Sequence, residues 1–248
     1  MLISIITSTY NSQDYFPEAV ASYKQQQYAY KELIVVDGGS TDHTLSQIKA
    51  EPAIDIYISE PDKGIYDALN KGMKLAKGEI IGILHSDDLL YSPDVLEQVS
   101  RAFAQNPEVM AVYGDLLYVE REDTGKIIRK WISGACTQKK FALGWMPPHP
   151  ALFIKKACFE QFGNYDLQYK SAADYDLILR FLYKYQQKAA YVPEVFVKMR
   201  VGGISNKTLK NRLRANKEDR LAMKINGVSF PLIKAILKPL RKLRQFVS

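Results

Sequence analysis

Apolar and polar positions alternate in two kinds of run over the first 115 residues. Leu2–Thr7 (LISIIT), Glu32–Asp37 (ELIVVD), Ile54–Ser59 (IDIYIS) and Glu79–Leu84 (EIIGIL) are short and rich in β-branched residues. Runs of this kind predict strands, and the most apolar of them predict strands covered on both faces. Val109–Asp115 (VMAVYGD) reads as a fifth. Between them, helical spacing covers Phe16–Gln26, a stretch ending near Ala50, and Ile65–Ala76. Ser40 or Thr41 supplies an N-cap for the second helix, and Pro93 sits near the start of a further one, where its missing N–H costs little. This βαβαβ order predicts an α/β fold with a mostly parallel sheet and helices on both faces.

Such sheets bind ligands outside the carboxyl ends of their strands. Polar residues gather there in this chain: Thr7-Ser8-Thr9-Tyr10-Asn11 after the first strand, Asp37 at the end of the second, and His85-Ser86-Asp87-Asp88 after the fourth. The second half of the chain changes character. Leu117–Glu120 and Lys126–Ile132 predict an antiparallel pair around a turn at Asp123-Thr124-Gly125. Pro147-Pro148-His149-Pro150 interrupts any regular element, Tyr175–Gln186 reads as an amphipathic helix, and Ala190–Met199 as a late strand. A smaller mixed region on the same sheet follows from this pattern.

The length of 248 residues suits one such domain with a terminal extension. Charge separates the two. Twelve Lys/Arg against Glu218 and Asp219 put Ser205–Ser248 near +10, which leaves residues 1–204 near −3, with 22 Lys/Arg against 25 Asp/Glu. The domain is therefore expected over 1–204, in halves meeting near residue 115, with a basic helical tail over 205–248. Cys136 and Cys158 are too few for a disulfide framework and fit no CxxC metal site, so a reducing compartment is expected. The amino terminus has no basic region followed by a long apolar run, and no stretch reaches the length of a membrane span. A cytoplasmic protein is the expectation, peripheral on the inner face of the cell membrane if the tail docks there.

The tail carries that second expectation. From Pro231, Leu232, Ile233, Ile236, Leu237, Leu240, Leu243 and Val247 recur at helical spacing, and Lys234, Lys238, Arg241, Lys242 and Arg244 largely fill the other directions. A helix so built lies in a membrane interface with basic residues toward anionic headgroups, although Pro239 kinks or splits it. The alternative is that the same stripe packs on the domain or a partner subunit.

Asp87-Asp88 is the most informative pair. Two carboxylates in a desolvated cleft repel each other unless a cation lies between them, and a hard cation such as Mg2+ or Mn2+ takes carboxylate oxygens together with substrate phosphates. The plainer reading has both capping the next helix. Asp37-Gly38-Gly39-Ser40-Thr41-Asp42 either lets a ligand approach the backbone closely or is a tight strand-to-helix turn. Asp174 and Asp176, at the start of a helix, either satisfy its dipole or point one carboxylate into a cleft as a general base. His149 is a structural residue or lines a pocket. No GxGxxG follows the first strand and no GxxxxGK[ST] occurs anywhere, so the dinucleotide and P-loop fingerprints are both missing.

Five segments, STYN (8–11), VVDGGSTD (35–42), EPDKGIYDALNKG (60–72), ILHSDD (83–88) and ADYDLILR (173–180), together resemble family 2 glycosyltransferases of the GT-A fold, in order and spacing over most of the chain. The third is similar to bacterial members that build exopolysaccharide and lipopolysaccharide repeat units. The resemblance implies metal-dependent, inverting transfer from a nucleotide-diphosphate sugar to a saccharide or lipid-linked saccharide acceptor, with Mg2+ or Mn2+ as cofactor. It implies that Thr9, Tyr10, Asn11 and Asp37 contact the nucleotide. Asp62, Lys63 and Asp67 would lie near nucleotide or donor sugar. Asp87 and Asp88 would hold ribose, diphosphate and metal, with Asp88 the direct ligand, and Asp174 would be the base. The chain departs from many relatives at Gly38, where a second acidic residue is common, at Leu69, where Arg is common, and at Ala173, where Glu is usual.

Readings from other classes fit less well. A sugar nucleotidyltransferase should carry a glycine-rich basic loop after its first strand, and TSTYNSQDY has neither Gly nor Lys/Arg. Nucleic acid is an unsuitable partner for an acidic body with clustered carboxylates. A sugar-nucleotide-binding module without transferase activity shares all these motifs.

Overall fold

The computed structural model describes residues 1–142, 144–202 and 209–229. Strands β1 (Ile3–Thr9), β2 (Lys31–Asp37), β3 (Ile56–Ser59) and β4 (Ile80–Ile83) form close to where the sequence pattern puts them. They run parallel in the spatial order β3-β2-β1-β4. Every residue of β1 is buried, and its side chains alternate between two apolar clusters, as a strand's period of two requires. Ile3 and Ile5 join Leu33 and Val35 on one face, while Ile6 joins Ile34 on the other.

Helices α1 (Phe16–Lys24), α2 (Thr44–Ala50), α3 (Ile65–Leu75) and α4 (Val95–Gln105) connect and cover these strands. The first face takes Phe16, Val20, Ile48, Val95 and Phe103 from α1, α2 and α4. The second takes Tyr66, Leu69 and Met73 from α3. Leu69 is fully buried, a burial that contributes about 1.5–3 kcal/mol. Gly72 lets α3 come this close: a Cβ there would lie 2.4 Å from Cγ2 of Ile6.

The second half adds β5 (Leu89–Leu90), β6 (Ala111–Val119), β7 (Ile127–Trp131), β8 (Leu152–Lys155) and β9 (Ala189–Arg200). The sheet then reads β3-β2-β1-β4-β8-β6-β9-β5, with β7 paired to β6. Three features depart from the sequence pattern. One continuous strand, β6, replaces the expected fifth strand and the first arm of the hairpin; its pairing with β9 is irregular around Asp115. β8 was not foreseen, because four residues behind a proline-rich run carry no readable period. It inserts antiparallel between β4 and β6. The helix expected over Tyr175–Gln186 starts earlier, at Ala173, and passes after Ile178 into a wide π turn over Leu179–Lys184. Leu177, Ile178, Leu179, Phe181 and Leu182 are all buried, more than one stripe of a 3.6-residue helix presents to a core.

Four α-helices, α5 (Gln138–Ala142), α6 (Lys156–Phe162), α7 (Ala173–Ile178) and α8 (Leu209–Ile225), and a 3-10 turn over His149–Ala151 complete the described chain. Helix α8 sits on the domain. Ala222 and Met223 enter the second-face cluster with Val228, and Glu218 accepts the backbone N–H groups of Lys170 and Ser171 at 3.0 and 2.7 Å. The interfacial helix expected from Pro231 lies outside the described residues. Among those described, no helix is long and apolar enough to cross a membrane.

Candidate active site

The segments after β1 and β2 are stitched to each other. Asp37, fully buried, accepts from Ser59 Oγ at 2.6 Å, from the Ser40 N–H at 3.1 Å, and from Ser40 Oγ. Gly38 N–H donates to the Thr9 carbonyl at 2.9 Å. Asn11, at φ 48°, accepts the Thr41 N–H on its side-chain oxygen at 2.9 Å and donates its own N–H to Ser40 Oγ at 2.8 Å. Asn tolerates this left-handed conformation better than most residues. Thr9 is buried and its Oγ1 has no hydrogen-bond partner among the described residues.

The segment entering α3 adds a wall. Asp62 accepts the Gly64 N–H at 2.7 Å, and Asp67 accepts the Lys63 N–H at 3.0 Å. Lys71, one turn along α3, ties the segment down through Glu60 at 2.7 Å and the Pro61 carbonyl at 3.1 Å. The Lys63 side chain stays at the exposed rim. Gly38 is what brings Asp62 in: a Cβ at residue 38 would fall 2.5 Å from Asp62 Oδ2 and 3.5 Å from the Tyr10 ring. Tyr10 is 59% exposed. The result is a small shelf of aromatic ring, bare backbone and carboxylate, open to solvent.

After β4 the chain turns sharply, with the Asp88 N–H on the His85 carbonyl at 3.0 Å and Ser86 Oγ 3.0 Å from Ser12 Oγ. Asp88 is 1% exposed, and its Oδ2 has no hydrogen-bond partner among the described residues. Burial, and the charge of Asp87 next to it, push its carboxyl well above the ordinary range. Asp87 is half-buried and pairs with Arg121 at 3.3 Å. Arg200, 2% exposed, donates to the carbonyls of Asp87 and Arg121 and to Glu18, at 2.9, 2.8 and 2.6 Å. It thereby holds the acidic turn against the β6–β7 hairpin.

These residues fit a divalent cation of the kind that keeps most of its ligands outside the protein. A buried, unpartnered carboxylate oxygen beside a second carboxylate is the donor set such an ion uses when substrate phosphates and water supply the rest. No group of three or more His, Cys, Asp or Glu gathers for a metal among the described residues, so the protein's own share of such an ion would be one or two carboxylates.

Asp174 stands in the first turn of α7. Tyr66 of α3 donates its hydroxyl to Asp174 Oδ1 at 3.0 Å. Burial and the Asp174 charge raise the Tyr66 phenol, so it remains a donor. Its ring stacks on Tyr165 at 5.5 Å, the Tyr165 hydroxyl lies 3.3 Å from His149 Nε2, and the His149 ring lies 5.4 Å from His85. A row of rings thus joins the carboxylate on α7 to the turn after β4. Burial pushes both histidines down to about 4, with His149 adding to the effect on His85, so the pair is neutral at pH 7. Asp176 takes no part. Its carboxylate accepts Asn226 Nδ2 at 2.8 Å and faces Arg180 at 3.4 Å, fastening the end of α8 to α7.

The structure brings Thr9, Tyr10, Asn11, Asp37 and Asp62 together around the segment after β2, and sets Asp87 and Asp88 beside them through Ser12. Asp174 joins through α3. Sequence reasoning missed Tyr66, Tyr165, His85, Arg121 and Arg200. Tyr66 and His85 lie inside quoted motifs and could have been weighed there. Arg121 sits 34 positions from Asp87 and Arg200 sits 182 from Glu18, Tyr165 acts by packing, and none of the three carries a local signal.

Residues 4–154 match the family described as Glycosyl transferase family 2. An uncharacterized glycosyltransferase of Mycobacterium tuberculosis is 34% identical over 186 residues, covering 72% of this chain and 68% of that protein. A PGL/p-HBAD biosynthesis glycosyltransferase of Mycobacterium bovis is 32% identical over 183 residues, covering 72% and 69%. In fold, the chain is similar to S. aureus TarS in complex with UDP-GlcNAc, with a TM-score of 0.71 at 17% identity over 96% of this chain and 70% of that one. It is also similar to the mannosyltransferase PcManGT from Pyrobaculum calidifontis in complex with GDP-Man and Mn2+, with a TM-score of 0.67 at 19% identity over 95% and 69%. The chain belongs to glycosyl transferase family 2, with the curled α/β sheet of GT-A glycosyltransferases.

Proposed function

We propose that this glycosyltransferase moves a sugar from a nucleotide-diphosphate sugar to a hydroxyl of a saccharide acceptor, carried on lipid, with inversion at the anomeric carbon. The observation that supports it best is the double role of α3. Its first turns hold the segment 60–64 through Asp67 and Lys71, and the same turns present Tyr66 to Asp174. Donor side and base side are thereby set relative to each other by one rigid element.

The shelf of Tyr10, Gly38 and Asp62 receives the base, with Thr9, Asn11 and Asp37 shaping the nucleotide site from below. Asp87 and Asp88 face ribose and diphosphate, and Asp88 Oδ2 is the oxygen that would hold Mg2+ or Mn2+. A divalent cation so held supplies charge to the leaving diphosphate without a proton donor. Asp174 accepts the proton of the acceptor hydroxyl as its oxygen bonds to the anomeric carbon. The bond from that carbon to the diphosphate breaks, and its electron pair leaves with the phosphate. A single displacement needs one base and inverts the configuration, unlike a double displacement.

The donors held by the two solved relatives, UDP-GlcNAc and GDP-Man, are the first to test. Nucleotide release should require both Mn2+ and an acceptor, and the one-bond C–H coupling at the anomeric carbon of the product should report the configuration opposite to that of the donor. Retention of configuration would reject the single displacement. Binding of a donor without transfer to any acceptor would favour a silent binding module. The tail is proposed to dock on anionic membrane. Co-sedimentation with anionic liposomes should fall for a chain ending near Asn226, and equal binding by both chains would reject it.

A further inference from the structure

Arg121 belongs to none of the motifs, yet its guanidinium stands beside the acidic turn. Nη1 lies 3.3 Å from Asp87 Oδ2, Nε donates to the Tyr15 hydroxyl at 3.1 Å, and the plane lies 4.3 Å over the Tyr15 ring. Tyr15 is itself held by Glu122 at 2.7 Å, and Arg200 fixes the Arg121 backbone. The fork is thus aimed by three neighbours while only Nε and Nη1 are engaged among the described residues. Its ion pair is about one-third exposed on both sides, 36% and 30%, and pairs that wet are weak.

We propose that Arg121 is a switching ligand of the donor diphosphate. Before the donor arrives it pairs with the Asp87 carboxylate, which stands next to the buried Asp88. On donor binding the guanidinium exchanges Asp87 for a phosphate oxygen, and Asp87 turns to the cation that accompanies the donor. Guanidinium suits this exchange because its planar fork matches phosphate as well as carboxylate. This inference rests on the donor and metal reading above.

Competition for Asp87 gives the proposal effects of opposite sign. In Arg121→Gln, the donor-free protein should bind Mn2+, measured by electron paramagnetic resonance, about two- to fivefold more tightly, the size expected on removing a weak competing pair. In the presence of Mn2+, calorimetry with UDP and with GDP should find the nucleotide that the parent chain binds held about tenfold more weakly, the cost of one charged hydrogen bond. Tyr15→Phe, which frees Nε without removing the charge, should shift both values the same way by less, and guards against a folding defect in the first variant. Unchanged or weaker Mn2+ binding in Arg121→Gln, or no detectable Mn2+ binding by either donor-free chain, overturns the competition. Unchanged nucleotide affinity overturns the phosphate contact. If Asp88→Asn binds Mn2+ as tightly as the parent, the metal reading itself fails, separately from the role of Arg121.

Discussion

The segments after β1 and β2 and the turn after β4 end neighbouring parallel strands, yet they spend their polar groups in opposite ways. Around Asp37, three donors from Ser40 and Ser59 satisfy one buried carboxylate, and Asn11 and Gly38 lock the two segments together. Around Asp88, the buried carboxylate keeps an oxygen with no hydrogen bond among the described residues and a like charge next door. Leaving a buried polar group unmatched costs stability. The fold thus satisfies one buried aspartate fully and leaves an oxygen of the other open, the contrast expected between a scaffold residue and the proposed reaction site.

Four outcomes break or sharpen that contrast. Asp88→Asn should cost the largest effect in turnover, about 10³-fold or more, because several kcal/mol of charge stabilisation depend on it. Chelation should do the same to the parent. The folding stability of Asp88→Asn should not fall, since burial already disfavours the carboxylate that the variant removes; full turnover in excess chelator would reject the role. Asp174→Asn keeps the size of the side chain and removes the proton acceptor. Turnover should drop about 10²–10⁴-fold with donor affinity unchanged in calorimetry, and near-normal turnover would place the base elsewhere. Asp176 is no substitute, being committed to Asn226 and Arg180.

Asp37→Ala should act on stability instead. Urea unfolding should show a loss of about 1–3 kcal/mol from the stranded donors. A comparable loss in Asp88→Asn would erase the distinction between the two regions. The smallest effect concerns acid. His149 is pushed from 6.5 down to about 4 by burial, so its neutral form is favoured by folding. The stability this supplies is present above pH 6.5 and is lost as pH falls toward 4. His149→Phe should therefore flatten the decline of melting temperature over that window, and an unchanged slope would remove His149 from the acid response.

Much of this was legible beforehand, for a definite reason. β1, β2 and β4 are covered on both faces, so their sequences are apolar almost throughout, and the polar residues at their ends stand out by contrast. Asp37 and Asp88 were found that way, and α3 by its spacing. The same logic failed for β8, whose four residues carry no period, and for the join of two expected strands into β6.

Periodicity and strand-end polarity are local, and they determined the parallel half of the sheet, the carboxylates at its edge and the helix that carries Tyr66. Only the tertiary structure decided what those groups meet. Arg121 reaches Asp87 across 34 positions, Tyr66 reaches Asp174 across 108, and Arg200 reaches Glu18 across 182. No spacing in the chain encodes such pairs. They exist because β8 inserts beside β4 and β9 runs parallel to β6, which carries the second half of the molecule back over the strand ends of the first. Burial then sets the charges: whether an aspartate is fully satisfied or keeps an open oxygen depends on which donors the fold leaves within hydrogen-bond reach of it.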